Sequence, residues 1–90
     1  MTHRIRVTFH GRVQGVGFRA TARDCARGLS VVGFVANQPD GTVLLEAQGE
    51  PQHTQDLLRR IRERMGGRIT REDFELSPVS ASEDSFEIRR

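Results

Sequence analysis

Gly11 to Arg19, GRVQGVGFR, sets three glycines and an arginine at the junction of two differently patterned runs. Upstream, Ile5, Val7 and Phe9 alternate with polar residues, the period of a half-buried strand. Downstream, Phe18, Ala22, Cys25, Ala26 and Leu29 fall on one stripe of an amphipathic helix. The chain must therefore pass from strand to helix through a glycine-rich turn. Such a turn presents main-chain N–H groups outward, lets the backbone approach a ligand and sits at the positive end of a helix. Arg19 adds a planar guanidinium able to hold two phosphate oxygens at once. Two readings stand at this level: a cradle for a phosphoryl group, or a tight turn followed by a solvated first-turn arginine.

Other phosphate motifs fit less well. Gly15-Val16-Gly17-Phe18-Arg19-Ala20 matches G-x-G-x-x-A, the dinucleotide fingerprint, in a strand-loop-helix context. Ninety residues are too few for a doubly wound dinucleotide fold, and the next strand runs into a hairpin rather than a crossover. The G-x-x-x-x-G-K-[ST] loop of nucleoside triphosphatases is absent.

The length sets a single domain, residues 1–90, with room for one sheet and two helices. The net charge of +2 is unevenly spread: residues 1–45 carry six arginines against two acids, and residues 46–90 carry eight against ten. The positive half holds the glycine loop, which suits an anionic small molecule. No basic run is interleaved with aromatics and Trp and Tyr are absent, so nucleic acid is not an expected partner. Cys25 lies on the apolar stripe of the first helix and reads as a small core residue. His3, His10 and His53 are scattered without ligand spacing, so neither a metal nor another cofactor is expected. No signal-peptide core or membrane-length apolar run appears, and the expectation is a soluble, cytoplasmic protein, a free-standing monomer with no membrane partner.

The remaining segments complete a pattern. Val31–Ala36 and Thr42–Ala47 flank Asn37-Gln38-Pro39-Asp40-Gly41, a hairpin signal. Pro51 suits the first turn of a second helix whose core face is Leu57, Leu58, Ile61 and Met65. Arg59, Arg60, Arg62 and Arg64 read as its solvated outer face, and Gly66-Gly67 as its end. Phe74, Leu76 and Val79 suggest a fourth strand, with Pro78 marking an edge or bulge, and Phe86 and Ile88 suggest a short last one. The order β-α-β-β-α-β plus a terminal strand is that of an α+β, ferredoxin-like split βαβ sandwich, with two helices on one face of a mostly antiparallel sheet.

Two separate signatures then resemble the acylphosphatase family over essentially the whole chain. One is Gly11-Arg12-Val13-Gln14-Gly15-Val16-Gly17-Phe18-Arg19; the other is Gly33-Phe34-Val35-Ala36-Asn37 followed by Asp40-Gly41, Val43 and Gly49. The ending Phe86-Glu87-Ile88-Arg89 resembles the family's last strand. The resemblance implies hydrolysis of carboxyl-phosphate anhydrides to a carboxylate and inorganic phosphate. It implies that Arg19 and Asn37 are catalytic, and that the backbone of Gln14, Gly15, Val16, Gly17, Phe18 and Arg19 binds phosphate. Inorganic phosphate would then be both product and inhibitor. The chain departs from the family at Ala36, where arginine is common, at Ser30, where glycine is usual, and across Met65–Ser77, which fits the usual loop before the fourth strand poorly.

The chemistry is coherent on its own terms. A carboxylate leaves as a stable anion, so no general acid is needed, and phosphoryl transfer is then mostly positioning and charge stabilisation. Asn37 has no useful basicity, and its role would be to orient the attacking water; otherwise it only terminates a strand and caps a turn. Two other classes remain open from sequence. One is a noncatalytic anion- or RNA-binding module on the same fold, against which stands the lack of aromatics for an exposed sheet face. The other is a carbamoyl-phosphate-handling domain detached from a larger enzyme.

Overall fold

Alternation in the first strand decides which side of the sheet becomes the core. The computed structural model describes residues 1–90 and begins with β1 (His3–Gly11), in which Ile5, Val7 and Phe9 are buried on one face. α1 (Phe18–Cys25), β2 (Val31–Asn37), β3 (Val43–Gly49) and α2 (Pro51–Met65) follow, then a 3-10 turn at Gly66–Arg68, β4 (Ile69–Ser77) and β5 (Phe86–Arg89). The strand order is β4-β1-β3-β2-β5, with every pairing antiparallel except β2 with β5. These registers make β1, β2 and β5 run in one direction, so their C-terminal ends share one end of the sheet. The expected split βαβ sandwich is the architecture found.

Val43, Leu45 and Ala47 join the β1 core residues on the helix side, and Phe18, Ala22 and Cys25 of α1 and Leu57, Leu58, Ile61 and Met65 of α2 close it from above. Cys25 is a buried free thiol in this cluster, as its stripe predicted. Leu29, placed on the same stripe by sequence, lies beyond the helix end yet still packs against the core. Phe9 and Phe18 meet with ring centroids 4.9 Å apart, tilted by 53°. That contact ties the start of α1 to β1, so the glycine loop between them spans two fixed points.

Three expectations need adjusting. β4 starts at Ile69, inside the segment that fits a loop poorly, and Val79 lies outside it. Phe74 and Leu76 pair with Val7 and Ile5 and so face the helix side, yet they are 56 % and 67 % exposed. β4 is an edge strand, and these two positions reach past the cover of the helices. The α2 arginines are also more than a solvated face. Arg60 donates to the carbonyls of Cys25 and Arg27 at 3.0 and 3.1 Å, satisfying groups at the end of α1 that the helix cannot satisfy itself. Arg62 binds Glu72 of β4 at 2.7 Å, and Arg64 binds Asp24 of α1 at 2.7 Å.

The sheet's other face carries no helix. Residues 78–85 pass beneath it from β4 at one edge to β5 at the other. There Arg4, only 5 % exposed, donates to Glu46 at 2.7 Å and to both carboxylate oxygens of Glu83 at 2.6 and 3.0 Å. Gln48 accepts from the Ser80 N–H and donates to the Ser80 carbonyl, both at 2.7 Å, fastening the same crossing. No helix is long and apolar enough to cross a membrane.

Candidate functional site

The loop after β1 is held in shape by what it buries. Val13 and Phe18 are inserted in the core on either side of Gly15 and Gly17, whose φ angles of 74° and 79° lie in the left-handed region. A Cβ at either glycine would meet no atom within 4 Å, so it is backbone conformation, not crowding, that calls for glycine. Gly17 is the N-cap of α1 and supplies no side-chain cap. The main-chain N–H groups of Gly15, Val16 and Gly17 donate to no other backbone group. A helix start with unsatisfied donors and open space above it has the geometry that suits an anion.

A cavity of about 180 Å³ lies over this helix start, with Gly15, Gly17, Phe18, Arg19 and Ala20 on one side and Asn37 at the end of β2 on another. Val13 forms part of the lining, and Ile88 and Arg90 complete the wall from β5 and the residue after it. The site therefore sits at the shared C-terminal end of β1, β2 and β5. Arg19 and Asn37 are brought together here from separate signatures. Gln14 and Val16 do not line the cavity, although they belong to the same loop.

Gln14 has a different position. Its amide donates to the carbonyls of Gln38 at 2.7 Å and Thr42 at 2.9 Å. It thus clamps the glycine loop to the turn that follows Asn37. That turn is internally closed: the Thr42 N–H and hydroxyl both donate to the Asp40 carboxylate, at 3.0 and 2.6 Å. These bonds, the hydroxyl's first, hold the Asp40 carboxyl below its ordinary range. Asp40 and Thr42, not Asn37, close the turn, and the Asn37 amide bonds to no protein group.

Arg19 is likewise unengaged. Eight of the fourteen arginines sit in ion pairs, namely Arg4, Arg6, Arg27, Arg59, Arg62, Arg64, Arg71 and Arg89. Arg19 and Arg90 are not among them, and no acidic side chain lines the cavity they share. Val16 faces a neighbouring cleft with Arg12, Gly67 and Arg68. Sequence reasoning missed Ile88 and Arg90 because it could not place the last strand within the sheet. His3, His10 and His53 lie elsewhere, His3 against Thr54 at 2.7 Å and His10 against Asp73 at 2.9 Å.

Known proteins share this fold and sequence pattern. The sequence model of the acylphosphatase family matches residues 5–88. An acylphosphatase of Clostridium acetobutylicum is 41 % identical over 98 % of each chain. The solved acylphosphatase of Coxiella burnetii is 30 % identical, covering 98 % of this chain and 93 % of its own, at a TM-score of 0.83. That of Bacillus subtilis is 26 % identical over the full length of both chains, at a TM-score of 0.85.

Proposed function

The chain belongs to the acylphosphatase family, an enzyme family that hydrolyses acyl phosphates, and we propose that its own catalysis is in-line attack of water in the cavity between the glycine loop and Asn37. The observation that carries this reading is the pairing of Arg19 and Asn37, distant in sequence, in one cavity where neither is engaged by another side chain.

The main-chain N–H groups from Gln14 to Arg19 and the Arg19 guanidinium would hold the three non-bridging phosphoryl oxygens. Their positive character matches the charge spread over those oxygens in a loose transition state. The Asn37 amide accepts a hydrogen bond from the attacking water and aims it at phosphorus. As the water oxygen bonds to phosphorus, the bond to the acyl oxygen breaks and its electron pair leaves on the carboxylate. The water's proton ends on a phosphate oxygen. No step calls on a general acid, because the leaving carboxylate is a weak base. None calls on a metal either, and no three His, Cys, Asp or Glu side chains cluster as ligands would.

The test is phosphate release from acetyl phosphate, with and without EDTA, beside ethyl phosphate as an alkyl monoester. Acetyl phosphate should be hydrolysed equally well in EDTA, with inorganic phosphate competing for the site. The monoester should turn over far more slowly, since no acid stands by to protonate its leaving oxygen. Comparable rates on the two would refute a mechanism without an acid catalyst.

A further inference from the structure

The last two arginines, one ending β5 and one just past it, meet opposite fates. Arg89 lies on the helix-free face, 4.0 Å from the centroid of the Phe34 ring and 3.6 Å from Glu83. Arg90, the residue after β5, lines the cavity with Ile88 and forms no ion pair with an acidic side chain. The cavity thus has two cationic groups with separate origins. Arg19 belongs to the loop that grips the reacting phosphoryl group, and Arg90 belongs to the opposite wall, beside an apolar side chain.

We propose that Arg90 is a specificity-determining residue that binds a second anionic group, a carboxylate or phosphate, carried on the acyl portion of the substrate. Ile88 would cover the short carbon chain between the two charges. This rests on the acyl phosphate reading above and narrows it to acyl phosphates that are charged at both ends. An uncharged acyl group would leave the Arg90 guanidinium in water and gain nothing from it. The advantage of a charged one is bounded, because Arg90 is exposed and an exposed ion pair contributes little.

The experiment compares succinyl phosphate with butyryl phosphate, which have the same carbon count and differ in the terminal carboxylate. Wild type should favour succinyl phosphate by about fivefold in kcat/KM, mostly through KM, the upper range for an exposed charge pair. In Arg90→Gln the ratio should fall to about one. Arg68→Gln, which removes a cation from the neighbouring cleft, should keep the wild-type ratio. A wild-type ratio near one, a preference that survives Arg90→Gln, or equal loss in Arg68→Gln would each overturn the assignment, the last by showing only a long-range field. A wild type that hydrolyses neither compound sinks the acyl phosphate reading itself. The subsite is then decided by calorimetry with 3-phosphonopropionate and propylphosphonate: tighter binding of the former, lost in Arg90→Gln, supports it, and equal or absent binding rejects it.

Discussion

Arg19 and Arg4 place the same guanidinium in opposite settings, one at the end of the sheet and one beneath it. Arg4 is enclosed by Glu46, Glu83 and Gln48, and its proton is held more firmly than usual, chiefly by the Glu83 hydrogen bond. Arg19 lines a cavity without an acidic side chain, next to N–H groups that also lack backbone acceptors. The first arrangement uses its charge internally to fasten residues 78–85 under the sheet. The second leaves its charge available to a ligand. A buried arginine with every donor matched reads as structure; a half-buried one beside unmatched donors reads as a site.

The largest effect that would sharpen this contrast is Arg19→Gln. It should lower kcat/KM on acetyl phosphate by on the order of 10³-fold or more, the range in which an arginine acting on phosphoryl transfer falls. Phosphate binding by calorimetry should weaken with it, since on the proposed mechanism Arg19 would contact the phosphoryl group before and during reaction. Arg19→Lys should rescue little, because an ammonium lacks the two-point fork. A kcat/KM within tenfold of wild type would place Arg19 outside the chemistry.

Arg4→Ala should do the reverse. It should destabilise by about 3 kcal/mol in urea unfolding, because the Glu83 and Glu46 carboxylates would lose their nearest partner and keep only the longer contacts to Arg89 and Arg6. Turnover per folded molecule should persist. If activity fell as far as in Arg19→Gln while stability held, the division between structural and functional arginine would be wrong.

The same contrast explains what could be read from the sequence. The fold was legible because Ile5, Val7 and Phe9 alternate and the α1 and α2 stripes repeat at helical spacing, patterns that local sequence fully contains. Arg19 and Asn37 stand out in the sequence because each sits in a specific signature, and both line one cavity. Arg4 does not, since its burial depends on residues 78–85 crossing the sheet, a contact between the two ends of the chain. The spacing of Phe74 and Leu76 says strand, as found, but spacing cannot tell whether a helix reaches the edge to cover them. Ile88 and Arg90 required knowing that β5 pairs with β2 in parallel, and a four-residue strand carries no signal for its neighbour.

Asn37→Ala tests the site from its second wall. It should cut kcat by about 10²-fold if the hydrogen bond to water forms mainly in the transition state, while phosphate affinity stays close to wild type. Asn37→Asp should do no better, as a carboxylate there would repel the phosphate. A folded Asn37→Ala with near-normal kcat would make Asn37 a strand terminator only.

The smallest effect concerns acid. Glu83, with a side chain only 9 % exposed, has its carboxyl held below the ordinary 4.5, first by the Arg4 hydrogen bond and against the opposing cost of burial. A carboxyl depressed in the folded state binds its proton more readily when unfolded. Its contribution is therefore complete above the unfolded value and is lost as pH falls through the folded one. Wild-type Tm should decline as pH drops below about 4.5, while Glu83→Gln, less stable at neutral pH, should show a shallower decline over the same window. Both proteins should converge at the acid end, where Arg4 faces a neutral partner at residue 83 in either case. Parallel curves of Tm against pH would mean that the acid sensitivity comes from other carboxylates, such as Asp24 and Asp73, which are also held low by arginines.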